Sequence, residues 1–306
     1  MPIFDNLLKY DISNRVRALY CILICFGISP VYGQAADHLP VTIFGDGDPY
    51  NGVEDSREPI MRGSYESDLP GAGAVACDGQ VRGTAMVLDT REMAPGLEGV
   101  VLATAAHVLF DLERKRRFRD CEFQFLALGA LPGYTAKIDL DQLVSGDFDP
   151  ARATTDIEFG EGDWAFVYVP RPWKNYRPGQ SLQLREFPFS KTEAFQQEGG
   201  EFRLIALDAS SAVISESFAC TLTESRIDDL GGGVWRGQLL DDCDSGGGAS
   251  GGGIITVYKG QRYLVGLRTG SHWSGDVFPA AEYPAGPPAG STWDPHFNTN
   301  FARAID

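Results

Sequence analysis

The sequence predicts an all-β protein of sandwich or barrel type, and three observations lead there. From Gly83 onward short β-prone runs recur, at residues 84–88, 100–103, 121–128, 164–169, 202–207, 234–240, 254–258 and 263–267. Gly, Pro, Asp and charged turns bound these runs, and few long helical stripes fall between them; that alternation of short strands and turns is the pattern of a sandwich or barrel. The third observation is size. With 306 residues, 43% of them hydrophobic, the chain can bury one large core or two smaller ones, and two compact units is the better reading.

Residues 18–29 (ALYCILICFGIS) form an uncharged, mostly apolar stretch preceded by Arg15 and Arg17 and followed by Pro30, Gly33, Ala35 and Ala36. That is the layout of a secretory signal peptide over residues 1–33. A membrane anchor is the bland alternative, but the stretch falls short of the ~20 apolar residues that cross a bilayer. The expected location is therefore secreted or periplasmic. Residues 1–33 carry Lys9, Arg15, Arg17, Asp5 and Asp11, so the rest holds 23 basic and 40 acidic residues, a balance of −17. Such a surface repels nucleic acid and anionic membranes, and neither is expected as a partner. The one basic run, Arg114-Lys115-Arg116-Arg117 with Arg119, reads as a solvated loop.

Of six cysteines, Cys21 and Cys25 lie in the signal segment, which leaves Cys77, Cys121, Cys220 and Cys243. An even number in an oxidising compartment reads as two disulfides, and spacing alone does not choose among the three pairings. No Cys-x-x-Cys or His-x-x-x-His spacing suggests a metal site, and no cofactor is expected. Residues 34–75 are rich in Asp, Gly and Pro and read as an N-terminal segment or a propeptide. A linker is expected between residues 170 and 200, where four prolines and a Gly-Gly pair fall, and residues 274–295 read as a long irregular loop.

With four histidines in the chain, a His-dependent mechanism has few candidates. His107 closes the run Val100-Val101-Leu102-Ala103-Thr104-Ala105-Ala106, where a buried strand gives way to small residues that allow close packing around an imidazole. Taken alone, such a His is more often structural than catalytic. Asp163 stands at the mouth of the apolar run 164–169. A carboxylate there can accept an imidazole N–H and fix its tautomer, although Asp is also common in turns. The third element is Asp242-Cys243-Asp244-Ser245-Gly246-Gly247-Gly248-Ala249-Ser250-Gly251-Gly252-Gly253. A flexible Gly/Ser linker is one reading, but strand-like runs flank the segment and it begins at a cysteine. Acyl transfer gives the glycines another use, because backbone N–H groups must converge on an oxyanion where a side chain would obstruct them.

Thr104-Ala105-Ala106-His107, Asp163-Trp164-Ala165 and Gly248-Ala249-Ser250-Gly251-Gly252 together resemble the three signatures of trypsin-like serine proteases, in that family's chain order. The chain is most similar to the bacterial branch that includes the glutamyl endopeptidases, through Val41-Thr42-Ile43-Phe44-Gly45-Asp46 before the first barrel and Asn300-Phe301-Ala302-Arg303-Ala304-Ile305 at the end. The resemblance covers about residues 41–306. It implies two six-stranded antiparallel Greek-key barrels of chymotrypsin type, 76–185 with His107 and Asp163 and 186–306 with Ser250, and the active site between them. It also implies a monomeric serine endopeptidase acting on protein or peptide substrates, with an oxyanion hole from the N–H groups of Gly248 and Ser250. Each pair staying inside one barrel, the disulfides would be Cys77 with Cys121 and Cys220 with Cys243.

Val108 and Gly253 replace residues common in the family, and Ala249 replaces the Asp that receives a newly cut N-terminal amine in animal digestive enzymes. Ser245, in Asp244-Ser245-Gly246-Gly247, is a second candidate nucleophile; Ser250 is favoured because strand, turn and strand follow it directly. Arg268-Thr269-Gly270 would pair with an extended substrate. Asp244, six residues before Ser250, stands where trypsin-like enzymes place the acidic floor of the primary pocket, which would favour Lys or Arg, or else it caps the glycine loop and never faces the substrate. Arg268 would attract an acidic side chain or neutralise Asp244, and a catalytically silent binding protein on the same fold is the alternative function.

Overall fold

The computed structural model describes residues 43–44, 55–60, 71–90, 96–125, 134–151, 162–171, 182–183, 192–224, 238–259, 261–273, 276–277, 279, 281–282, 287–294 and 298–304. The segment read as a signal peptide lies outside them. Residues 34–306 form one compact unit. Among the described residues 55% are strand and 6% helix, so the protein is mostly β.

The first half contributes β1 (Arg57–Pro59), β2 (Ala72–Cys77), β3 (Gln80–Asp89), β4 (Val100–Thr104), β5 (Phe110–Asp111), β6 (Arg116–Arg117), β7 (Cys121–Phe125), β8 (Tyr134–Lys137), β9 (Asp139–Ser145), β10 (Ala165–Val169) and β11 (Leu182–Gln183). The second contributes β12 (Phe202–Asp208), β13 (Val213–Cys220), β14 (Leu222–Glu224), β15 (Gln238–Asp241), β16 (Gly253–Tyr258), β17 (Gln261–Trp273) and β18 (Asn298–Ala304).

Antiparallel pairing runs β8, β7, β2, β3, β4, β10, β9. Only Ile138 separates β8 from β9, so the two ends of this path are consecutive in the chain and the seven strands make a nearly closed barrel. Alternation along β10 fills it: Ala165, Val167 and Val169 point inward with Val75, Val87, Leu102 and Phe123. A second path runs β1, β13, β12, β16, β17, β18, β15, β14 and curls into a half-barrel around Phe202, Leu204, Ile254, Val265 and Ala302. A third apolar cluster binds the two together: Ala74, Met86, Leu88 and Ala103 from the first pack with Ile205, Leu207, Ile255, Leu264 and Leu267 from the second. β11 adds parallel pairs to β3 and β17.

Strands absent from the sequence reading have identifiable causes. β2 (AGAVAC) is buried throughout but built of small residues, and β9 (DLDQLVS) carries two aspartates, so neither has the composition that marks a strand. β17 runs six residues beyond Leu267 because β18 continues to pair with it as far as Trp273. Within the stretch expected to be a linker, Thr192–Gln197 is a short helix, α1, whose Gln196 side chain bridges the backbone of Leu222.

The disulfides join Cys77 to Cys121 and Cys220 to Cys243, one within each strand set. They close loops of 44 and 23 residues, for which chain entropy predicts about 4 and about 3 kcal/mol respectively. Replacing either pair by serines should lower the free energy of unfolding by roughly those amounts, measurable by urea denaturation. A change below about 1 kcal/mol would put the stabilisation elsewhere.

Candidate active site

Strand β4 delivers His107. It ends at Thr104, and a single 3-10 turn, Ala106–Leu109, follows with Ala106, Val108 and Leu109 buried, which leaves the imidazole as the part of the turn that reaches the surface. β10 pairs with β4 so that Ala165 lies opposite Thr104, and the antiparallel register therefore sets Asp163 beside the turn. Both oxygens of its carboxylate are engaged there. Oδ2 lies 2.7 Å from His107 Nδ1, and Oδ1 accepts the His107 backbone N–H at 2.8 Å. Asp163 is fully buried while the His107 side chain is 16% exposed, so the inner face of the ring is fixed and its outer edge is accessible. A carboxylate held at two points cannot rotate away, and it dictates that Nδ1 carries the proton and Nε2 the lone pair.

The glycine loop is docked on the first barrel just upstream of His107. Thr84 N–H donates to the Ser250 carbonyl at 2.7 Å, and Thr84 Oγ1 donates to the Gly248 carbonyl at 2.7 Å while accepting Leu207 N–H at 2.9 Å. Thr104 Oγ1 in turn donates to the Thr84 carbonyl at 2.6 Å. Gly251 sits at φ +79°, and a Cβ there would strike Thr104 Oγ1 and the Thr84 carbonyl, so only glycine fits between the loop and strands β3 and β4. Ser250 itself is half-buried. The loop turns on itself through Ala249 N–H to Gly246 O at 3.1 Å and Gly252 N–H to Ala249 O at 2.8 Å. Among the described residues, the N–H groups of Gly248 and Ser250 donate to no backbone carbonyl.

The structure thus brings the His107 turn, Asp163 and the backbone of residues 248–251 to one place. The side chains of Asp244 and Arg268 are engaged by other groups. Asp244 Oδ1 accepts Phe44 N–H at 2.8 Å and Oδ2 accepts Ser56 N–H at 2.7 Å, and the residue is 3% exposed, so its carboxylate faces the N-terminal segment. Arg268 lies inside the second strand set, its guanidinium 2.5 Å from Asp241, both side chains buried. Arg268 N–H and C=O bond to Gly252 O and Gly251 N–H, each at 2.8 Å. Thr269 is buried with its hydroxyl toward Phe301 O, and Gly270 packs on the Phe301 ring. Ser245 is buried, its hydroxyl 3.2 Å from Asn300 Nδ2.

Thr84, Thr104 and Phe44 stood in runs or motifs of the sequence without an anchoring role assigned to them, and Ser56 was not singled out. The two threonines lie in β strands, where Thr is common, and no local signal separates a loop anchor from an ordinary strand residue. Asp242, beside the loop, accepts Thr221 N–H, and burial, reinforced by the Asp241 charge, pushes its carboxyl up to about 6 against those hydrogen bonds. Because the folded value is raised, the folded state binds the proton more tightly than the unfolded chain, and this group's contribution to stability falls as pH rises from the ordinary carboxylate range to about 6. Asp242→Asn keeps an acceptor for Thr221. Its melting temperature should gain on the unsubstituted protein between pH 4 and pH 7, and a difference that stays constant across that range would refute the assignment.

No protein-family model matches the chain, and no curated protein matches it. What it does is carried by the site.

Proposed function

We propose that the protein is a serine endopeptidase on a double-barrel fold of chymotrypsin type, each barrel a six-stranded Greek key if the consecutive strands β8 and β9, and β13 and β14, are each counted as one bent strand and β1 is set apart as an added edge strand. The observation that carries this reading is the two-point grip of Asp163 on His107, at 2.7 and 2.8 Å, beside a glycine loop docked on the same barrel. A structural histidine needs only one partner. Two contacts that fix both the ring's tautomer and its backbone suit a general base.

In this mechanism Nε2 of His107 takes the Ser250 Oγ proton as Oγ bonds to the scissile carbonyl carbon. The oxyanion forms toward the N–H groups of Gly248 and Ser250, the positive φ of Gly248, +91°, allowing these two donors, separated by one residue, to converge. The imidazolium then protonates the departing amine as the C–N bond breaks, and a water repeats the sequence to release the acid. The backbone of Thr269 and Gly270, beyond the Arg268–Gly252 contact, is the edge on which an extended substrate would lie. The engagement of Asp244 by Phe44 and Ser56 removes support for selection of Lys or Arg. The pairing of Arg268 with Asp241 likewise weakens selection for acidic residues. Two disulfides suit an oxidising compartment, in keeping with a secreted or periplasmic enzyme.

A fluorophosphonate probe tests the reading. It should modify Ser250, with His107→Ala preventing the reaction. Absence of labelling, together with no cleavage of a peptide library, would leave a binding protein on this fold as the better account.

A further inference from the structure

The described parts of the N-terminal segment, residues 43–44 and 55–60, reach the loop that carries Ser250 through Phe44, Ser56 and Arg57. Ile43 O accepts Gly290 N–H at 2.8 Å, and Phe44 and Ser56 N–H close on the two oxygens of Asp244. Ser56 Oγ meets Ser217 Oγ at 2.8 Å, and that same hydroxyl accepts Asp244 N–H at 2.9 Å. β1 then pairs with β13, Arg57 opposite Ser217, and Ile60 N–H bonds Ile214 O at 3.0 Å. Arg57 lies over the loop: its Nη1 sits 2.6 Å from where a Cβ on Gly246 would be, so the guanidinium packs on the bare α-carbon. Asp55 grips the other side of that guanidinium at 2.7 Å, and Asp208 lies 3.8 Å away.

We infer that this segment is a strap that positions the nucleophile loop through Asp244 and Arg57, so that the active protein keeps residues 43–60 rather than shedding them as a propeptide. The inference rests on the peptidase reading. Asp244 precedes the Gly248 and Ser250 N–H groups by four and six residues, and its two oxygens tie the start of that loop to backbone distant in the chain. Arg57 holds Gly246 from above while Ala209 N–H holds the Gly247 carbonyl at 2.8 Å. The position before the nucleophile is Ala249 and Asp244 already receives two donors, so neither offers a free carboxylate to a newly cut N-terminal amine. Asp244 and Arg57 are positioning residues.

The test begins with the protein as exported, labelled at Ser250 by fluorophosphonate, and N-terminal sequencing of the labelled species. Its first residue should lie at or before Ile43. A fully active form that begins after Ile60 overturns the strap. Asp244→Ala and Arg57→Ala should each lower kcat roughly ten- to a hundred-fold, the range for losing charge-assisted hydrogen bonds, with KM changed less than about threefold and the order of P1 preference unchanged. Amide hydrogen exchange over residues 246–252 should accelerate in both variants. A changed P1 preference with kcat preserved on other substrates would make Asp244 a pocket residue instead. Unchanged exchange overturns the strap even if the protein proves to have no peptidase activity, whereas loss of labelling and cleavage in the unsubstituted protein overturns only the peptidase reading.

Discussion

On the proposed mechanism Ser250→Ala should lower kcat for peptide hydrolysis by a factor on the order of 10⁶, because it removes the hydroxyl assigned to the acyl intermediate and leaves only oxyanion stabilisation and binding. His107→Ala should fall to a similar level. The double variant should fall little further, since members of a triad act as one unit and their losses do not add. Ser245→Ala is the discriminating partner. Ser245 is 6% exposed, with its hydroxyl 3.2 Å from Asn300 Nδ2, so removing it should leave kcat within a few-fold of the original. Single-turnover kinetics on a fluorogenic peptide will separate these outcomes. Near-normal turnover in Ser250→Ala with loss in Ser245→Ala would exchange the two assignments.

Asp163→Asn is expected to cost about 10⁴ in kcat, the loss characteristic of a triad whose histidine is held in the wrong tautomer. The geometry gives the reason. Asp163 Oδ1 accepts the His107 backbone N–H at 2.8 Å, and an amide oxygen would keep that bond. The amide NH₂ would then occupy the position of Oδ2, 2.7 Å from Nδ1, where it can only donate. Nδ1 must become the acceptor, the ring proton moves to Nε2, and Nε2 can no longer take a proton from a serine hydroxyl. Because one contact survives, the fold should tolerate the change, so a melting temperature close to that of the unsubstituted protein should accompany the loss of rate. Retention of more than about a tenth of kcat would remove Asp163 from the mechanism and leave it as the anchor of a structural turn.

The elements legible from sequence share one property: their signal is local. Runs such as 100–103 and 164–169 are apolar and β-prone, and each lies in a strand, β4 and β10. His107 and Asp163 could be singled out because each adjoins such a run. The disulfides followed once two units were assumed. β2 and β9 were hidden by small or charged residues, and each is a strand because neighbouring strands pair with it. Within residues 34–75, Ile43-Phe44 stood in a segment of the family resemblance whereas 55–60 gave no local signal, and both are held by groups remote in sequence, among them Asp244, Gly290 and β13.

Asp244 marks the boundary between the two kinds of information. Its place six residues before Ser250 is a property of the sequence, and the resemblance to trypsin-like proteases left two readings of that spacing, a pocket floor or a cap on the glycine loop. Which groups its carboxylate meets depends on Phe44 and Ser56, about 200 and 188 residues away along the chain. Sequence by itself determined the all-β class, the four cysteines available for pairing and the short roll of residues able to carry acyl-transfer chemistry, because composition, period and punctuation are written in adjacent residues. Only the tertiary structure decided that His107 and Asp163 meet at two points, that Thr84 and Thr104 seat the glycine loop, and that Asp244 turns toward the N-terminal segment. Hydrogen bonds between strands remote in sequence are fixed by register and barrel curvature, and no local pattern encodes those.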